Sequence, residues 1–179
     1  MGLLTFIKGN SNTFIDTKGW KEFPIVELFD VVLSTGDNQA KLLEDGDIPL
    51  VSSGKNLGNG ICKWIKAGDG KSEIFKANTI TVDMFGKAYY QEKDYYAVSH
   101  GRVNMLLPKF NLNKNIGLFI VSVLDKRLED VFPYGEMCNQ TQLKKQKIPL
   151  PVCDNDSPDW VYMNDFISKI YTQLEDLVL

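Results

Sequence analysis

Between Ile80 and Val152 the apolar residues change period several times over short distances, and this restricts the fold more than any other feature of the chain. ITVDMF (80–85), AYYQ (88–91), YYAVS (95–99), RVNMLLP (102–108) and KIPLPV (147–152) are short runs, mostly rich in β-branched or aromatic residues, and Gly, Asn, Asp or Pro tends to separate them. Runs of this kind predict strands. One stretch breaks the series. In Lys114–Leu128, the residues Ile116, Phe119, Ile120, Val123, Leu124 and Leu128 recur at helical spacing, and Asn113 stands where a cap is needed. Strands in a mixed or antiparallel arrangement with a few helices predict a β-rich α+β domain. Upstream, IPLVSS reads as a further strand, and Pro24 with Glu27 favours a short helix over Ile25–Val32.

The C-terminal segment obeys a different rule. After Pro158, the residues Trp160, Met163, Ile167, Ile170, Leu174 and Leu177 are spaced 3, 4, 3, 4 and 3 apart. That spacing is the a/d seam of a coiled coil. The expected division is therefore a globular domain over residues 1–157 and a pairing helix beginning at 158. The seam reaches the last residues without a glycine cap, so the helix is expected to continue in a longer chain. An amphipathic helix packed on its own domain has the same pattern.

The formal net charge of −3 looks unfavourable for nucleic acid. Its distribution is not. Residues 1–52 carry −4, residues 53–153 carry +6 and residues 154–179 carry −5. A basic middle between acidic ends is compatible with phosphate contact, which depends on local charge. No stretch reaches the roughly 18 apolar residues of a membrane span. The apolar run Leu3, Leu4, Phe6 and Ile7 reads as a strand or ordered arm. It is too short for a secretory signal, and no basic residue precedes it, so a cytoplasmic protein is expected.

Catalytic chemistry finds little to work with. His100 is the single histidine, so any nucleophile–base arrangement rests on it alone. Cys62, Cys138 and Cys153 are far apart, and none forms a C-x-x-C pair, which speaks against a disulfide framework or a zinc site. The expectation is three buried or half-buried thiols, no metal and no cofactor. The glycines of SSGKNLGNGI match neither G-x-x-x-x-G-K-[ST] nor G-x-G-x-x-G.

Four clusters do have the composition of a surface that touches DNA, where amides read base edges and cations meet phosphates. The first is Ser52, Ser53, Lys55, Asn56 and Asn59, followed by Lys63, Lys66 and Lys71. The second is Lys87, Tyr89 and Gln91, and the third His100 and Arg102. The fourth is Tyr134, Asn139, Gln140, Lys144 and Lys145. A solvated loop has the same composition, so no single cluster decides.

Taken in order, WKEFPIVELFDVV, IPLVSSGKNLGNGI, NTITVDMFGKAYYQ, YAVSHGRVNMLLP, NIGLFIVSVL, FPYG, LKKQKIPLPV and PDWVYMNDFI resemble the target-recognition domain of type I restriction–modification specificity subunits, in the branch of the BcgI-like enzymes. The resemblance runs from about Trp20 almost to the end, and GKAYYQ with IPLPV ahead of a long helix is its most specific part. It implies a non-catalytic module that reads one half of a bipartite double-stranded DNA site. It implies methyltransferase and restriction subunits as partners, and a helix that pairs with a counterpart. Full subunits carry two recognition domains, so the chain reads either as a fragment of one or as a half-subunit that forms a homodimer. The competing reading is a protein-interaction adaptor working through the C-terminal helix. A small hydrolase built on His100 is a third.

Overall fold

The computed structural model describes residues 15–54, 57–98, 103–129, 131–132 and 136–178. Along the chain these form β1 (Lys21–Pro24), α1 (Ile25–Leu28), β2 (Phe29–Leu33), β3 (Asp45–Val51), β4 (Ile61–Ile65), β5 (Thr79–Asp83), β6 (Ala88–Gln91), β7 (Tyr96–Ala97), β8 (Val103–Pro108), α2 (Lys114–Leu128), α3 (Gln140–Leu143), β9 (Lys147–Leu150) and α4 (Trp160–Val178). Three sheets result. β2-β8-β5-β6 is antiparallel throughout, β1 pairs with β9, and β4-β3-β7 combines an antiparallel with a parallel pair. This is the mixed α+β arrangement that the changing apolar period predicts. The run Leu3–Ile7 lies outside the described residues.

The larger core lies between the four-stranded sheet and the helices. Ile80, Leu106, Ile116, Ile120, Leu124 and Leu128 are within it, each at most 5% exposed. Burying a side chain of this size stabilises the fold by about 1.5–3 kcal/mol. α2 keeps the predicted bounds, and Asn113 caps it by accepting the Ile116 N–H at 3.0 Å. Gly117 lets α2 approach β6, because a Cβ there would meet the Tyr90 ring at 2.3 Å. A smaller core of Val51, Phe75, Tyr95, Ala97, Val103 and Met105 joins the three-stranded sheet to the four-stranded one.

Two local expectations fail. The helix over Ile25–Val32 stops after four residues and gives way to β2, whose Phe29 and Val31 bury one face in strand alternation. The packing of β2 on β8 outweighs the capping signal. Among the cysteines, Cys138 is buried and Cys62 half-buried, but Cys153 is exposed, in the turn after β9.

The core also runs across residue 158. Met163 is fully buried and Ile167 is 2% exposed, both within the larger core, and Trp160 stacks on Phe110 with ring centroids 4.0 Å apart. Asn115 of α2 donates to Ser168 Oγ of α4 at 2.9 Å. The first half of α4 is thus held by its own domain.

Candidate nucleic-acid interface

Strand direction brings the predicted loops to one end of the molecule. β3 and β7 are parallel, with Val51 beside Ala97, so the chain leaves both at the same end. Val103 opens β8 opposite Asp83, which closes β5, and Leu33 closes β2 opposite Asn104. The 84–87 turn, the stretch after Val51 and the loop after Leu33 therefore share this end. The segment ahead of α3 joins them. The Cys138 N–H donates to the Met84 carbonyl at 2.9 Å, and Asn104 Nδ2 donates to the Cys138 carbonyl at 2.9 Å.

Two carboxylates organise this rim. Asp83 is 3% exposed. It accepts the N–H groups of Phe85 at 2.8 Å and Lys87 at 3.0 Å, and that of Gly54 as well. Burial pushes its carboxyl above the ordinary range, against the lowering effect of those donors, and Asp125 adds a smaller push upward. The same environment pushes the Cys138 thiol up to about 12, through burial first and then the Asp83 charge. Asp69 lies nearer the surface. It accepts the N–H of Asp37, of Lys71 at 3.0 Å and of Ser72 at 2.7 Å, the Asp37 bond contributing most to holding its carboxyl far below the ordinary range.

The sequence-predicted residues divide on this scaffold. Ser53 Oγ accepts the Met84 N–H at 3.1 Å, and Ser52 lies beside Cys62, so both sit at the rim with structural bonds. Asn59, in left-handed backbone at φ 52°, donates to the Tyr90 carbonyl at 2.7 Å, and the half-buried Tyr89 ring lies against Gly60. Asn139 caps α3 by accepting the Gln142 N–H. Gln140 Nε2 donates to the Val31 carbonyl at 2.8 Å. Lys87 is ion-paired with Asp125. Lys71 sits in the turn that Asp69 holds, and Lys71, Lys144 and Lys145 are exposed without an ion pair among the described residues. Lys55, Asn56, His100, Arg102 and Tyr134 lie outside the described residues.

Four expectations need correction. Gln91 is 2% exposed, and its Nε2 donates to Thr81 Oγ1 at 2.9 Å and the Asn59 carbonyl at 3.2 Å, so it braces a loop from inside. Lys63 and Lys66 turn to the opposite end of the three-stranded sheet. There Lys63 meets the Leu43 carbonyl at 2.6 Å and Asp45 at 3.1 Å, and Lys66 meets Glu44 at 3.3 Å. In the helical seam, Met163 and Ile167 are buried in the domain's own core, and Trp160 and Ile170 pack half-buried against it. Leu174 is 46% exposed and remains available, as does Tyr171 beside it; the Leu177 side chain lies outside the described ones. Sequence reading also passed over three exposed apolar side chains at the rim or on its loops: Leu57, Phe85 and Met137. For Leu57 and Met137 the position in short polar loops was the available signal; Phe85 reads in the sequence as the end of a strand over 80–85, but β5 stops at Asp83 and leaves it in the turn.

The family model for the type I restriction modification DNA specificity domain matches residues 17–178. Among individual proteins, the chain is similar to the type II restriction enzyme specificity subunit S.BcgI of Heyndrickxia coagulans. Identity is 33% over 162 residues, covering 87% of this chain and 45% of that protein. In fold it is similar to the type I restriction–modification S subunit from M. genitalium, with a TM-score of 0.59 at 16% identity, covering 88% of this chain and 39% of that one. The HsdS subunit from Thermoanaerobacter tengcongensis gives a TM-score of 0.57 at 14% identity, covering 94% and 41% respectively. The chain thus spans less than half the length of each of these relatives.

Proposed function

From the premise that the chain belongs to the type I restriction modification DNA specificity domain family, we propose that it reads one half of a bipartite double-stranded DNA site for a restriction–modification system. It supplies recognition, while methyltransferase and restriction subunits supply the chemistry. The convergence of the loops at one end of the sheets carries this reading. Asp83 and Asp69 hold that rim in a fixed shape, and the segment that joins it at Cys138 runs on through α3 to Lys144 and Lys145, which are exposed and make no ion pair among the described residues. A fixed backbone together with exposed lysines suits groove reading, in which phosphates position the protein and base edges select the sequence.

The outward face of α4 supports a second part of the proposal. Tyr171 and Leu174 are exposed beyond the anchored half, and they would pair with a counterpart helix, either from a second recognition domain or from a second copy.

The test is DNA retention by the chain together with its methyltransferase subunit, measured by anisotropy on duplexes enriched from a random pool. Tight, salt-dependent binding with a preferred short sequence is expected. Lys144→Glu with Lys145→Glu should flatten the plot of log affinity against log salt by roughly 2, close to one for each phosphate that is no longer neutralised. A complex that retains no duplex at low salt overturns the reading. Unchanged DNA binding in the double variant, with methyltransferase binding lost, favours the adaptor.

A further inference from the structure

One turn at the rim is more fully bonded than a solvent-facing loop requires. Every backbone N–H from Asp83 to Ala88 has a partner within the chain. Asp83 donates to the Lys87 carbonyl at 2.9 Å and Met84 to Ser53 Oγ at 3.1 Å. Phe85 and Lys87 donate to the Asp83 carboxylate at 2.8 and 3.0 Å. Gly86 donates to the Asp83 carbonyl at 3.0 Å, and Ala88 to Asp125 Oδ1 at 2.8 Å. Gly86 sits at φ 79° against Leu128 and Phe132, where a Cβ would come within 3.2 Å of both side chains. The turn is therefore fixed from beneath. What it holds out is a phenylalanine: Phe85 is 55% exposed.

We propose that Phe85 is a base-contacting residue, pressing its ring on the apolar part of DNA inside a groove. The proposal rests on the DNA-recognition reading above. The surroundings name the occupant. The ring edge lies 3.8 Å from where a Gly54 Cβ would stand, so it borders the Ser- and Asn-rich loop that ends β3. Lys144 and Lys145 lie in the segment that Cys138 ties to the same turn. Phe85 shares the rim with only two other exposed apolar side chains among the described residues, Leu57 and Met137, each set in a polar loop, and three such side chains are few for a protein-docking patch, which is contiguous and apolar at its centre. The arrangement matches DNA, whose outside is charged and whose apolar surface is confined to thymine methyls and base faces. A ring held on a fully bonded turn loses little freedom on binding, which suits a residue that selects.

A phenyl ring releases no counterion, and that separates its role from a phosphate contact. The test uses the chain with its methyltransferase subunit, a duplex enriched from a random pool and a scrambled duplex of the same composition. Phe85→Ala is expected to lower the preference for the enriched duplex at least tenfold, with the salt dependence unchanged. Phe85→Leu, which keeps an apolar side chain, should restore part of it. Uracil in place of thymine, and 2-aminopurine in the duplex, then distinguish methyl contact from insertion between bases. Thermal melting of both variants should match wild type, since the ring packs little against the fold. Undiminished preference in a folded Phe85→Ala protein overturns the role of Phe85 alone, as does an equal loss on both duplexes. A wild-type complex that retains neither duplex overturns the DNA reading, and the role of Phe85 with it.

Discussion

Asp83 and Asp69 do the same local work in opposite settings. Each gathers three backbone N–H groups from two loops, Gly54, Phe85 and Lys87 in one case and Asp37, Lys71 and Ser72 in the other. Each is accompanied by a left-handed glycine in close quarters. Gly86 lies against Leu128 and Phe132, and Gly36 lies where a Cβ would meet Ser72 Oγ at 2.3 Å and Asp69 Oδ2 at 2.7 Å. Yet the Asp83 carboxyl is pushed up and the Asp69 carboxyl is held down. The bonding is alike, so the difference comes from solvent. Where water is excluded the cost of the charge outweighs the donors, and near the surface the donors win.

The largest test of that contrast is removal of each carboxylate. Asp83→Ala strands three donors in a dry site and should cost about 3 kcal/mol. Asp69→Ala leaves its donors to water and should cost about 1 kcal/mol. Urea unfolding measures both, and equal losses would break the distinction. Next are the glycines. Gly86→Ala and Gly36→Ala each force a side chain into left-handed backbone against close neighbours, and each should destabilise by about 1–3 kcal/mol. Only the first should also shift the DNA preference proposed for Phe85.

The smallest effect is in the pH profile, and the two sites should have opposite signs. Asp83 binds its proton more readily folded than unfolded. Its ionised form therefore subtracts stability, and acidification from neutral through its raised folded value recovers it. Asp69 binds its proton less readily folded. Its contribution is complete above the ordinary carboxylate value and is lost as pH falls from there toward its depressed folded value. Urea midpoints between pH 3 and 7 should show Asp83→Asn removing the gain and Asp69→Asn removing the acid loss. A shared slope in the two variants would refute the assignment.

How much could be read in advance follows the range of the interactions. α2 and its Asn113 cap are local, and the sequence defined both to the residue. β6 also has the predicted bounds. β1 was not legible, because KEFP becomes a strand only by pairing with β9, more than 120 residues later. β4 was hidden in a polar stretch, where a bulged pairing with β3 sets its register. The same limit applies to the rim. Gln91 and Lys87 have the composition of surface readers, but each finds a partner in another part of the chain. In the 3–4 seam of α4, spacing establishes that one face is covered and leaves open by what. α2 covers the first half.

That placement of α2 gives it a mechanical role. Near its N-terminus Asn115 is bonded to Asn164 and Ser168 of α4. Near its C-terminus Asp125 holds the Ala88 N–H and the Lys87 ammonium, at the base of the turn that displays Phe85. Fifteen helical residues make a rod of about 22 Å. One rod thus touches both the helix proposed to pair with a counterpart and the turn proposed to enter the groove. Tilting this strut by a few degrees about its bonds to α4 would move its far end by about an ångström or two, the scale on which the ring contact proposed for Phe85 would be made or missed.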